Sequence, residues 1–384
     1  MVEGSNPHSS SSEFASRSIA CWQGKTSALK MSVDFDGAQY SPRQCHPRAL
    51  ETNAGDSDLW INLGGTIASG ETLAANGSQY TQQQCYLQAL KCNLRSSLAW
   101  IKLGNTMKPG TSIEVNGTPH TEQQCYLRAL AIDPGDSGSW IHLGGTIAQG
   151  ETVAANGSQY TQQQCYLQAL TCNAKNALAW TTVGTTIEPG ASIDVNGTQQ
   201  TERHCYLRAL EIDAGDSDSW NNLGATIAPG ETVAANGSHY TQQQCYLQAL
   251  KCDARNPVAW SNLGTTMKPG ASIEVNGTPH TKQQCYLQAL RCSAVNANAW
   301  NNLGTTMTPG ETLEVNGENC TKMDCFRKAL EIDDRKADAW KNLGLTMKSG
   351  ESVQLNGTTY TQQDCNARAR LLRGTSENYS CALS

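Results

Sequence analysis

Apolar positions along the chain fall into one pattern that returns every 40 residues without insertion or deletion. Trp60, Leu63, Gly64 and Ile67 are spaced i, i+3, i+4 and i+7, one face of a helix. A Ser-Gly or Pro-Gly pair ends that helix. A short alternating run follows, such as Ile113 and Val115, then Asn116-Gly117, then Thr118 to His120. Asn-Gly between alternating residues predicts a β-hairpin, because both turn positions require positive φ. Thr81-Gln82-Gln83-Gln84 reads as a capping box opening a second helix, with Cys85, Tyr86, Ala89 and Leu90 as its apolar stripe. Asp56, Ser96, Asp136, Asn176, Asp216, Asn256 and Asn296 stand where the first helix needs a side chain for its orphan amides. Gly64, recurring in mid-helix at a cost of roughly 1 kcal/mol against alanine, predicts a second helix in close contact there.

A fixed period of this length is the signature of an array in which each unit leans on its neighbours. Tryptophan marks eight copies, from Trp60 to Trp340, and cysteine marks nine, from Cys45 to Cys365. The expected organisation is a disordered Ser-rich stretch over 1–18 and a degenerate first repeat over 19–55, holding only the hairpin and second helix. Eight full repeats then occupy 56–372, with a polar tail over 373–384. The hairpins alternate in type, so the duplicated unit is often 80 residues: the segment from Ala74 to Tyr80 returns near 154 and 234, and that from Glu114 to His120 returns near 274.

Trp140-Ile141-His142-Leu143-Gly144 in the first helix and Phe326-Arg327-Lys328-Ala329-Leu330-Glu331-Ile332-Asp333 in the second resemble the tetratricopeptide repeat (TPR). Ala129 to Pro134 adds the closing proline. The resemblance spans roughly 41–372 and implies an all-α, right-handed solenoid of helix-hairpin-helix units, the hairpins being insertions between the helices. Departures are the longer unit, Ile67 or Met107 where an aromatic is usual, and Gln82 where the family has a small alanine, which predicts a looser helix contact or one braced by the hairpin.

The resemblance also implies that first helices line a concave groove that holds an extended segment of a partner protein. The groove column two residues after each tryptophan reads Asn62, Lys102, His142, Thr182, Asn222, Asn262, Asn302 and Asn342. Its four successive asparagines resemble the ladder in the repeat arm of protein O-linked N-acetylglucosamine transferases, where amides grip a peptide backbone. An Asn side chain carries both donor and acceptor and can satisfy one peptide unit. The partner-binding set is therefore Asn222, Asn262, Asn302 and Asn342, with Asn62, Lys102 and His142 tuning the other end. The carboxylate clamp of chaperone-tail-binding relatives is not expected, since Ile101 fills one of its positions and Asn105 is the only asparagine in the other.

Composition narrows the rest. Net charge is −6 with charges interspersed, so no basic tract is present to follow a phosphate backbone. No apolar run is long enough to span a membrane. Of 16 cysteines, the column from Cys45 to Cys365 and a second at Cys92, Cys172, Cys252 and Cys292 are read as buried reduced thiols acting as small hydrophobes. Cys85 and Cys92 stand seven apart on one helix, roughly 10 Å, beyond disulfide reach. Gly24-Lys25-Thr26 lacks the glycine that a phosphate loop needs at Ile19. The histidines, among them His120 and His280 on hairpins, accompany no repeated nucleophile. Asn-Gly-Ser/Thr triplets are formal glycosylation sequons but read as turn chemistry. The expectation is a non-enzymatic cytoplasmic scaffold or adaptor with a protein partner, without cofactor or metal. Its rivals are a structural protein that self-associates through its hairpins or through the imperfectly capped C-terminal helix near Cys365, and the substrate-recruiting arm of a glycosyltransferase-like enzyme whose catalytic domain lies outside this chain.

Overall fold

Each repeat folds around its tryptophan. In the computed structural model, which describes residues 33–381 apart from 36, 37 and 349, the indole N–H donates to the carbonyl six residues upstream in seven repeats, at 2.6–2.9 Å from Trp60 to Trp340. That bond closes the loop entering the first helix. The ring itself, 0–7% exposed, lies under the hairpin. The expected disordered stretch 1–18 and the start of the degenerate repeat lie outside the described residues.

Seventeen helices and nine two-stranded hairpins alternate among the described residues. Hairpin β1 (Val33–Phe35) with β2 (Ala38–Tyr40) and helix α1 (Pro42–Thr52) form the degenerate repeat. The full repeats follow as a first helix, a hairpin and a second helix. They open with α2 (Ser57–Thr66), β3 (Leu73–Ala75), β4 (Ser78–Tyr80) and α3 (Gln82–Cys92). The remaining first helices are α4 (Ser97–Gly104), α6 (Ser137–Gly145), α8 (Ala177–Gly184), α10 (Ser217–Ala225), α12 (Pro257–Thr266), α14 (Ala297–Thr306) and α16 (Ala337–Thr346). Their second helices are α5 (Glu122–Ile132), α7 (Gln162–Cys172), α9 (Glu202–Ile212), α11 (Gln242–Cys252), α13 (Lys282–Cys292), α15 (Lys322–Ile332) and α17 (Gln362–Cys381). The array divides into two compact units, residues 1–179 and 180–384. Helix α17 runs on as far as Cys381, into the segment read as a polar tail. Arg373 stands there in place of the Asn, Asp or Ser that ends earlier second helices, such as Asn93 and Ser293.

Local chemistry accounts for the elements. The expected caps are made: Asp56 accepts from the amides of Asp58 and Leu59, and Asn256 from those of Val258 and Ala259. Thr81 and Gln84 complete a reciprocal capping box, as do Thr121 with Gln124 and Thr281 with Gln284. In every full repeat the turn asparagine sits at φ between 45° and 53° and its glycine at positive φ, which satisfies the two-residue turn. The asparagine has a second duty that aspartate could not perform. Asn236, Asn276 and Asn316 donate their amides to the carbonyls of Leu210, Leu250 and Leu290 on the preceding second helix, at 3.1–3.4 Å.

Packing explains the mid-helix glycine. A Cβ on Gly264 would lie 2.7 Å from the ring of Tyr286, and the same collision recurs from Gly64 through Gly304. Glutamine at the second helix start does not loosen this contact. Gln82, Gln162 and Gln362 donate to the carbonyls of Gly64, Gly144 and Gly344 at 3.0–3.3 Å, which fastens the two helices where alanine would only touch. Gly264→Ala should therefore destabilise by about 1–3 kcal/mol through overpacking, although alanine is the better helix former. Gly344→Ala should cost less, because Asn366 there can rotate away. Urea unfolding of both variants checks the ranking, and equal stability would contradict it.

The first cysteine column is buried, 0–1% exposed from Cys45 to Cys365. The second is not. Cys92 and Cys252 are exposed, Cys172 and Cys292 half-exposed, and Ile132, Ile212 and Ile332 in the same column are 36–42% exposed. The column falls on the last helical residue, which overhangs the inter-repeat loop instead of another helix. There Cys92 donates to the Ala54 carbonyl at 3.5 Å.

Candidate partner-binding face

Successive first helices touch one another in the second unit, α10 with α12, α12 with α14 and α14 with α16. This brings Asn222, Asn262, Asn302 and Asn342 onto one face, each half-buried. They do not stand as four independent rungs. Asn262 donates to Asn221 at 3.0 Å, and Asn221 donates to Asn222 at 3.2 Å. Likewise Asn342 donates to Asn301 at 3.0 Å, and Asn301 to Asn302 at 3.3 Å. Ser261, 3% exposed, replaces asparagine in the connecting column and separates the two triplets. Sequence reasoning missed Asn221 and Asn301, although they precede the ladder residues directly.

By donor count, Asn262 and Asn342 each keep one amide hydrogen and their carbonyl oxygen for another group, and Asn222 and Asn302 keep both hydrogens. The lateral bonds fix each side chain's rotamer, so less entropy is lost when the remaining groups are engaged. Beside Asn262 a hollow of about 400 Å³ is bordered by Val258, Val295, Asn298 and Lys336. Val258 is 48% and Val295 73% exposed, and Lys336 is held to Asn298 at 2.5 Å. The face thus offers fixed amides next to bare apolar surface.

In the first unit the same column holds Asn62, Lys102 and His142 on α2, α4 and α6. Asn62 is exposed and Lys102 half-buried. His142 stacks on Tyr126 with centroids 5.2 Å apart and planes at 17°. Burial pushes its pKa below the usual imidazole value, which favours the uncharged ring near neutral pH. Tyr126 is tied to Asn105 at 2.8 Å and Glu122 at 3.2 Å.

No family model matches the chain, and no curated protein does. Among solved structures it is similar to the crystal structure of yeast Tom70, at 11% sequence identity and a TM-score of 0.37, over 79% of this chain and 77% of that one. Among the described residues no helix is long and apolar enough to cross a membrane.

Proposed function

We propose that the chain is a non-catalytic interaction scaffold whose first-helix face holds an extended segment of a partner protein. The observation that carries this reading is the pair of asparagine triplets, which hold half-buried amides in fixed orientation on consecutive helices. Asn222, Asn262, Asn302 and Asn342 bond the partner's backbone, and the apolar rim at Val258 and Val295 takes a side chain from it. At a net ~0.5–1.5 kcal/mol for each bond, four of them hold sequence-tolerant segments at modest affinity. In the first unit Asn62, Lys102 and His142 present a cation and a neutral ring in the same column, so they add selectivity. The setting proposed is cytoplasmic.

A display selection of random linear peptides against the intact chain tests the reading. The comparison protein carries Asn222→Ala, Asn262→Ala, Asn302→Ala and Asn342→Ala together. Peptides enriched on the native chain should bind the variant at least 10-fold more weakly while its helical circular dichroism persists. Equal binding by a folded variant would remove the ladder from the interface.

A further inference from the structure

In every repeat the residue before the capping threonine and the second-helix cysteine occupy the two positions that a hydrophobic staple brings together across a helix N-terminus. The first of these reads Tyr80, His120, Tyr160, Gln200, Tyr240, His280, Cys320 and Tyr360. The six rings lie on their own repeat's tryptophan at 4.8–4.9 Å. In the seventh full repeat a thiol stands there instead, 2% exposed. Lys328 covers the Trp300 ring at 5.3 Å and is tethered to Glu318 at 2.7 Å. Glu318 replaces the Ser or Thr of the other full repeats, and Lys328 their Gln or Arg, so three departures from the pattern coincide.

A third sulfur is present. Cys325 Sγ lies 3.7 Å from Met307 Sδ. The methionine column is itself patterned. Isoleucine occupies it at 67, 147, 187 and 227, where the hairpin ends in Tyr or Gln. Methionine occupies it at 107, 267, 307 and 347, and three of those hairpins end in His120, His280 and Cys320. Thus the side chains able to bind a soft metal cluster in the same repeats. Two sulfurs at that separation, each ~2.3 Å from one ion, subtend an angle of roughly 107°, within the range of trigonal and tetrahedral sites. Thiolate and thioether donors together select Cu(I) over hard cations.

We propose that Met307, Cys320 and Cys325 form a three-sulfur binding site for Cu(I). On binding, two S–H bonds break and their protons pass to water, while two thiolate–copper bonds and one thioether–copper bond form. The metal stays Cu(I) throughout, so no oxidant or reductant takes part. The resulting centre carries a net charge of −1. The Lys328 ammonium, close enough to interact with the Cys320 charge, is its counter-ion. A cavity of about 270 Å³ lined by Trp300, Val315, Glu318 and Lys328 lies on the solvent side of the tethered Lys328. Met107 with His120 and Cys125, and Met267 with His280 and Cys285, share the layout with only one thiolate, so they bind more weakly.

The test is an anaerobic titration of the reduced full chain with Cu(I), supplied as its acetonitrile complex, against a chromophoric Cu(I) chelator. Two variants restore residues that other repeats carry at these columns, Cys320→Tyr and Met307→Ile, and Cys320→Ser makes the smallest change. One tight equivalent is expected in the native chain. It should be weakened at least 100-fold in both Cys320 variants and 10- to 100-fold in Met307→Ile. One equivalent should also raise the melting temperature of the native chain and leave that of Cys320→Ser unmoved. Unchanged affinity and stoichiometry in Cys320→Ser would overturn the site and assign the copper to exposed thiols such as Cys92 and Cys252.

Discussion

Between pH 9.5 and 10.5 the helical signal should collapse, and the buried thiol column should be the cause. Burial pushes Cys85, Cys125, Cys165, Cys205, Cys245, Cys285 and Cys325 up to about 12, and Cys365 to about 11, from an ordinary value of 9.0. A group whose folded pKa is raised favours the fold fully below its unfolded pKa, and that contribution is lost as pH climbs from the unfolded toward the folded value. Here the window is pH 9 to 12. At pH 10 each thiol favours the unfolded chain by roughly 1.4 kcal/mol, so seven together approach 10 kcal/mol. That is comparable to the whole stability of an ordinary domain, ~5–15 kcal/mol. Tyrosines such as Tyr86 and Tyr286, also raised to about 12 by burial, act in the same direction a little higher in pH. Circular dichroism against pH, reversed by neutralisation under reducing conditions, checks the expectation. Cys285→Ala should unfold less readily at pH 10, relative to pH 7, by about 1.4 kcal/mol compared with the native chain. A native array that stays folded to pH 11 would contradict the argument.

Features repeated in every unit were the ones legible in the sequence. Asn-Gly announced the hairpins, because only a turn with positive φ at both residues uses that pair so consistently. Gly64 and its copies announced a close helix contact, and the Tyr86 column supplies it. The exposure of Cys92 was not legible. Helical periodicity gives the direction of a side chain but not where the neighbouring helix stops, and this column overhangs a loop. The lateral bonds of the asparagine ladder were hidden for a related reason. Asn262 and Asn221 are 41 positions apart and belong to different repeat columns, so no periodicity search pairs them. Cys320 escaped notice because it occurs once. A column that otherwise reads Tyr, His or Gln signals its exception only when the exception is set beside the methionine column of the same repeats.

Trp260→Ala should be among the most damaging single substitutions, at about 3–5 kcal/mol for loss of a buried tryptophan. Three losses combine. The ring is 5% exposed and its removal leaves a cavity under the hairpin. The bond from its Nε1 to the Ala254 carbonyl, 2.9 Å, disappears and frees the loop that enters α12. The edge contact with His280, centroids 4.9 Å apart, goes as well, so the hairpin loses its attachment to the first helix. A hairpin this short is marginal by itself and should become mobile. Trp260→Phe separates the terms: it keeps most of the apolar surface and loses the N–H bond, for a cost nearer 1 kcal/mol. Because each repeat leans only on its neighbours, the damage should stay local. Amide hydrogen exchange should accelerate in β13 (Ser272–Val275), β14 (Thr278–Thr281) and helices α12 and α13, and much less around α16. Uniform acceleration across the chain would mean that the array unfolds as one cooperative body, and a loss under 1 kcal/mol would mean that the tryptophan is not the residue around which the repeat closes.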